Sequence, residues 1–262
     1  MSFDTHPASM VSGKQIPMIN SVEDRCWLIR TCYGIDEVIL AHFDEKMMHQ
    51  PWRDFITDYL IGELGAAYVV CGSDFRFGDR GEGTAQRLQE TCAALGVGCQ
   101  VVGMVSVEGT QVHSTLIRTL LEQGRIEEAN RFLGHPHILT HTVEAGKHLG
   151  SALGFPTVNL AFQPGVLVPA YGVYATKLYL GEEDTQGHIA VTNIGVRPTV
   201  EQTDRVTVEG FILDFSGDLY GKTLRMEFYH YLRGERRFES LQALTEEVMR
   251  NAEQTRQYFA AR

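Results

Sequence analysis

Between His137 and Leu232 the chain offers six strand candidates in succession, with no helical pattern between them. They are HILTHTVEA (137–145), TVNLAF (157–162), GVYATKLYL (172–180), GHIAVTNIGV (187–196), RVTVEGFILDF (205–215) and TLRMEFYHYL (223–232). The loops between them carry Gly, Pro, Asp and Asn. Strands that follow one another directly pair antiparallel, and six of them predict a small closed barrel. One long helical pattern follows near 240–260, with Leu241, Leu244 and Val248 on one face.

The first half is written differently. Short apolar runs, EVILAHF (37–43), AAYVVCGSDF (66–75) and CQVVGMV (99–105), alternate with helical patterns near 21–33, 51–64, 83–95 and 114–133. Such alternation predicts parallel strands with helices on both faces. A doubly wound domain opens on a strand–turn–helix unit. Here the opening SFDTHP reads only as the end of a strand. The expectation is an incomplete domain that leaves apolar surface and ladder edges exposed. GHPH at 134–137 is the expected junction, dividing the chain into residues 1–134 and 135–262.

Composition narrows the function. With 262 residues the chain is long enough for two ordinary domains. The net charge is −10, shared as −7 and −3 between the two parts, and neither carries a dense Lys/Arg stretch. Phosphate-backbone binding needs clustered positive charge, so no nucleic-acid partner is expected, including an oligonucleotide on the barrel. No apolar run reaches membrane-spanning length, so no membrane association is expected. The five cysteines are odd in number, form no CxxC pair and all precede residue 100. They read as reduced thiols in a cytoplasm. The ten histidines form no metal-ligand pattern.

Several stretches carry chemistry. In GKHLGSALGFPTVNL (146–160), Gly146, Gly150 and Gly154 recur every fourth residue, with Lys147 beside the first. Backbone N–H groups and one Lys suit phosphate oxygens. Thr157 and Asn159 share one strand face while Val158 and Leu160 share the other. A hydroxyl and an amide side by side are oxygen ligands of the kind Mg²⁺ takes. The same spacing fits a Gly-rich hairpin followed by an edge strand equally well. In VTVEGFIL (206–213), Glu209 lies on a face that ends in Phe211 and Leu213. It is either a general base or a carboxylate on a strand rim.

YLRGERRF (231–238) mixes three Arg, one Glu and aromatic rings. It suits a planar ligand, or is a charged loop before the last helix. HSTLIR (113–118) places Ser114 or Thr115 as a helix N-cap with Arg118 one turn in, which is also the outline of a phosphate site. GSDFRFG (72–78) leaves a strand end for a Gly-rich loop, where sheets of this kind bind ligands.

Taken together, LGFPTVNL (153–160), TNIGVRPT (192–199), VEGFILDFSGDLYGK (208–222) and LRGERRFESLQAL (232–244) resemble, in order and spacing, the bacterial bifunctional riboflavin kinase/FAD synthetase family. The resemblance implies an incomplete Rossmann-like nucleotidyltransferase domain followed by a six-stranded antiparallel β-barrel with a C-terminal helix. It implies an ATP:riboflavin 5′-phosphotransferase in residues 135–262 and an FMN adenylyltransferase (FAD synthetase)-like half in residues 1–134. Riboflavin and ATP are then substrates, Mg²⁺ a cofactor, and FMN and FAD products.

By resemblance Thr157 and Asn159 bind Mg²⁺ and the ATP phosphates. Gly146, Lys147, Gly150 and Gly154 form a flap over the nucleotide, and Glu209 takes the proton of the riboflavin 5′-hydroxyl. Asn193, Arg233, Glu235 and Phe238 shape the flavin side. In the first half the likeness falls on His6 of SFDTHP, on Asp74, Phe75 and Arg76 of GSDFRFG, and on Ser114, Thr115 and Arg118 of HSTLIR. Thr5 stands where the family often has Pro, and His113 replaces a Ser. The family's first strand and its Gly-x-Phe-Asp-x-x-His-x-Gly-His motif do not occur in these 262 residues. The expectation is therefore FMN formation with little or no FAD formation. A non-catalytic flavin- or nucleotide-binding protein is the alternative, and the intact Thr157, Asn159 and Glu209 favour the enzyme.

Overall fold

A computed structural model describes residues 1–144, 157–181, 183–197 and 205–262. By backbone contacts the chain forms two compact units, residues 1–16 with 36–112 and residues 17–35 with 113–262.

In the first unit β1 (Ser2–Phe3) pairs parallel with β2 (Leu40–Ala41). β3 (Tyr68–Gly72) pairs parallel with β6 (Gly98–Val102). Between these last two come the short antiparallel strands β4 (Arg76–Phe77) and β5 (Gly83–Thr84). β7 (Ser106–Val107) and β8 (Thr110–Gln111) form a hairpin. SFDTHP thus supplies the end of a strand, as expected, but the parallel strands form two separate pairs among the described residues. Helices α1 (Pro7–Ser12), α3 (Glu45–Met48), α4 (Trp52–Asp54) and α5 (Ala85–Ala94) belong to this unit.

The single helix expected over 51–64 is instead α4 continuing into a π-helical stretch, Phe55–Glu63. Its wider turn turns Phe55, Ile56 and Leu60 toward Phe77, Leu88 and Cys92 in one buried cluster. β3 leaves Tyr68 and Val70 each 60% exposed.

The second unit holds α2 (Val22–Thr31), α6 (Ser114–Glu122) and α7 (Ile126–Leu133) beside six strands. These are β9 (His137–Thr142), β10 (Thr157–Leu160), β11 (Gly172–Tyr179), β12 (His188–Arg197), β13 (Arg205–Ile212) and β14 (Thr223–Arg233). All pair antiparallel in the order β10-β13-β12-β11-β14-β9. The two edges meet where the Glu144 N–H donates to the Asn159 carbonyl at 2.9 Å. That single bridge joins the two ends of the curved sheet.

Period-2 alternation fills the inside. Val158, Leu160, Tyr174, Ile194, Val208 and Phe228 are buried there, each contributing about 1.5–3 kcal/mol. Thr176 and Thr192 are also fully buried, and their hydroxyls satisfy each other at 2.7 Å. Gly210 leaves room for this packing, since a Cβ there would lie 3.1 Å from Met226 Cε and 3.2 Å from Val158 Cγ2, and those side chains would have to give way. Asn130 of α7 ties the helices to the barrel, donating to the Phe228 carbonyl and accepting from the His137 N–H, both at 2.8 Å.

Helix α8 (Leu241–Ala260) lies on the outer face of the barrel. Ser240 caps it by accepting from the Ala243 N–H at 3.1 Å. Under it Val173, Val191, Leu213 and Ala252 form a second apolar cluster with Ile189, Phe211 and Leu232 at its margin. The expected apolar face is only partly used, because Leu241 in the first turn stays 66% exposed. The residues of α8 that are buried are Glu247, Asn251, Ala252 and Thr255.

Candidate functional site

The site forms where the outward faces of the barrel strands meet the start of α8. In the antiparallel register, Asn159 stands opposite Glu209, Glu209 opposite Asn193, Asn193 opposite Val173, and Val173 opposite Arg233. One transverse row thus crosses β10, β13, β12, β11 and β14. The next row places Thr157 opposite Phe211 and Phe211 opposite Val191. Side chains two apart share a face, so Thr157 and Asn159 lie on the Glu209 side, while Val158 and Leu160 point into the core.

A cleft of about 350 Å³ opens over these rows. Thr157, Asn193 and Glu209 supply oxygen and amide groups at one end, and Arg233, Glu235, Arg236 and Phe238 line the other. Val173, Val191, Phe211, Leu244 and Val248 make the apolar wall between them. Glu209 is half-buried, as are Thr157 and Asn159. Their hydroxyl, amide and carboxylate oxygens are a hard donor set. No group of three His, Cys, Asp or Glu able to hold a metal occurs among the described residues.

The arginine end is held from beneath. Glu247, 4% exposed, accepts from Arg233 Nε at 3.1 Å, Arg236 Nη2 at 2.5 Å and Arg250 Nη1 at 2.7 Å. Arg233 Nε also reaches Asn251 Oδ1 at 3.2 Å, and its Nη1 donates to the Gly234 carbonyl at 2.9 Å. Burial pulls the Arg233 guanidinium below its ordinary range, and the Glu247 carboxylate opposes that. The Arg233 and Arg236 guanidiniums lie 5.6 Å and 4.7 Å from the centre of the Phe238 ring. Glu235 lies over β12 at Gly195, where a Cβ would overlap its carboxylate.

The structure therefore gathers Thr157, Asn159, Asn193, Glu209, Arg233, Glu235 and Phe238 on one face. Gly146, Lys147, Gly150 and Gly154 lie outside the described residues. The residues of the first half are distributed over both units. In the first unit His6 is the N-cap residue of α1, Asp74 and Arg76 are exposed after β3, and Phe75 stacks on Phe77 at 5.2 Å. In the second unit Ser114 and Thr115 are exposed on the first turn of α6. Neither caps that helix: His113 does, its Nδ1 accepting from the Leu116 N–H at 3.2 Å. An imidazole nitrogen serves this role as a hydroxyl would, and it shifts the cap one residue earlier than the hydroxyls implied. Arg118 Nε is spent on the Pro17 carbonyl at 2.8 Å.

Sequence reasoning missed Glu247 and Asn251. Their signal was a polar stripe, Glu247, Asn251 and Thr255, repeating every four residues along one helix face.

Comparison with known proteins shows the family. Residues 133–259 match the family model for riboflavin kinase (Flavokinase), and residues 1–116 match that for FAD synthetase. Proteins named bifunctional riboflavin kinase/FMN adenylyltransferase are similar along nearly the whole chain. The one from Bacillus subtilis is 30% identical, and that from Escherichia coli is 31% identical. Each alignment covers 99% of this chain and 82% of the relative. A Streptococcus pneumoniae crystal structure described as a macrolide-efflux protein superposes with a TM-score of 0.82 at 25% identity, covering 97% of this chain and 81% of that one. Among the described residues here, no helix is long and apolar enough to cross a membrane. The chain belongs to the bifunctional riboflavin kinase/FMN adenylyltransferase family.

Proposed function

We propose that the cleft on the barrel is the riboflavin kinase site, transferring the γ-phosphoryl group of ATP to the 5′-hydroxyl of riboflavin to give FMN. The observation that carries this reading is the register of Asn159, Glu209 and Asn193, which sets a proton acceptor between two amides, with Glu209 and Asn193 lining one end of the cleft. Phosphoryl transfer asks a protein mainly for positioning and charge stabilisation. The parts for both are present.

Thr157 and Asn159 hold the ATP phosphates together with Mg²⁺, which when bound neutralises charge on them. The oxygen donors fit a hard cation that keeps waters and phosphate oxygens in its shell. By the family resemblance, Gly146, Lys147, Gly150 and Gly154 are assigned to the nucleotide. Glu209 accepts the proton of the riboflavin hydroxyl as its oxygen attacks phosphorus and ADP leaves. The flavin ring system packs between the apolar wall and Phe238, with Asn193, Arg233 and Glu235 at its polar edge. Residues 135–262 carry this activity. Residues 1–134 form the half related to FMN adenylyltransferase, which uses FMN and ATP to make FAD. The family models at 133–259 and 1–116 support that division. All five cysteines are free thiols, in keeping with a cytoplasmic location.

The direct test supplies the purified protein with Mg²⁺, ATP and riboflavin and separates the flavin products. FMN and ADP formed in equal amounts are expected. Absence of FMN from a folded, riboflavin-binding protein would overturn the assignment in favour of a binding function.

A further inference from the structure

We infer that Glu247 is a positioning residue for the flavin end of the cleft, acting through Arg233 and Arg236. The inference rests on the kinase reading above and adds a residue from α8 to it. Glu247 touches no cleft volume itself, yet it sits 4% exposed beneath two residues that line it. Its two carboxylate oxygens divide the work. Oε1 takes Arg233 Nε at 3.1 Å, and Oε2 takes Arg236 Nη2 at 2.5 Å and Arg250 Nη1 at 2.7 Å.

Arg233 and Arg236 come from the end of β14 and the loop after it, and long flexible cations of this kind take one orientation only when anchored. Both guanidiniums lie beside Phe238, so one carboxylate sets the two cations and, through them, the aromatic wall. Arg250 is mostly exposed and is not a cleft residue, so its share is to hold Glu247 from the solvent side.

The ion-pair partners of Glu247 are Arg233, Arg236 and Arg250, and none of these is Thr157, Asn159 or Glu209 at the polar end of the row. Loss of the Glu247 charge should therefore weaken flavin binding and leave nucleotide binding and the chemical step alone. A merely structural defect would lower the active fraction without separating the two substrates.

The test compares the wild-type protein with Glu247→Gln, which keeps the side chain's shape and removes its charge. Riboflavin Kd is measured by quenching of flavin fluorescence without ATP, and KM for each substrate and kcat are measured by FMN formation. Riboflavin Kd and KM should rise on the order of tenfold or more, as expected when one member of a buried charge cluster is neutralised. The KM for ATP and the kcat at saturating riboflavin should stay within about twofold.

A second variant, Glu247→Gln with Asn251→Asp, places a carboxylate on the residue that Arg233 Nε already reaches at 3.2 Å. It should recover much of the lost riboflavin affinity. Because it restores the buried negative charge, it also reads the inference if the single variant does not fold. Equal riboflavin Kd in wild type and Glu247→Gln would overturn the inference alone. So would a folded double variant that binds riboflavin no better than the single one, or, if the single variant is unfolded, one without near-wild-type affinity. Failure of the wild-type protein to bind riboflavin at all would overturn the kinase reading and this inference with it.

Discussion

Asn159 and Glu209 face each other across the β10–β13 pair, directly opposite in register, although fifty positions apart in sequence. A carboxylate fixed beside an amide on a rigid ladder is placed by the backbone and not by side-chain flexibility. This leads to the first expectation. Glu209→Gln should bind both substrates and retain the fold, while kcat falls about 10²–10⁴-fold, the usual share of a general base. Near-wild-type turnover, with chemistry shown to limit the rate, would remove Glu209 from that role.

Asn159→Leu should abolish ATP binding with little change in stability. The main chain of Asn159 keeps its pairing with Glu209, and its carbonyl still accepts from Glu144 at the barrel seam. Only the outward side chain changes. Calorimetric titration with Mg-ATP checks this, and an unchanged affinity in a folded variant would show that the phosphates are held elsewhere.

Gly172 starts β11 at φ 149°, and a Cβ there would overlap the Arg233 carbonyl oxygen and the Tyr231 ring. Gly172→Ala should cost about 1–3 kcal/mol, the usual range for overpacking, and should displace Arg233 from the cleft. Urea unfolding together with riboflavin titration reads both effects. A variant as stable as the wild type would mean that the strand end relaxes freely.

Acid should weaken the barrel through His137. This ring is fully buried beside Phe162 and Phe228, and among the described residues neither of its nitrogens has a hydrogen-bond partner. Burial pushes it from its ordinary 6.5 down to about 3. The unfolded chain therefore binds a proton that the folded one refuses between those values. The contribution is full above pH 6.5, declines as pH falls toward 3, and is unchanged below that. Between pH 7 and pH 5 the wild type should lose about 2 kcal/mol more than His137→Phe, measured by urea unfolding at both values. Parallel losses in the two proteins would show that the folded state admits the proton.

Local patterning decided much of this molecule. Alternation at 157–160 and 206–213 set which side chains face the core, because a strand turns successive residues to opposite sides whatever its neighbours are. Six such segments, with turn residues between them and one helical period after, were enough for a barrel with a helix on it. Thr157, Asn159 and Glu209 were legible as candidates for the same reason: each is a polar group on a face whose reverse is apolar. The tertiary structure decided what local pattern does not encode. Strand order and register are long-range choices, and only the arrangement β10-β13-β12-β11-β14-β9 brings Asn159, Glu209, Asn193 and Arg233 into one row. The face of α8 was likewise settled by its surroundings. Apolar period pointed to Leu241, which is 66% exposed, whereas Glu247 is 4% exposed. A carboxylate is buried at that depth only where cations pair with it, and two of its three, Arg233 and Arg236, arrive from β14 and its following loop, which no window along the helix contains.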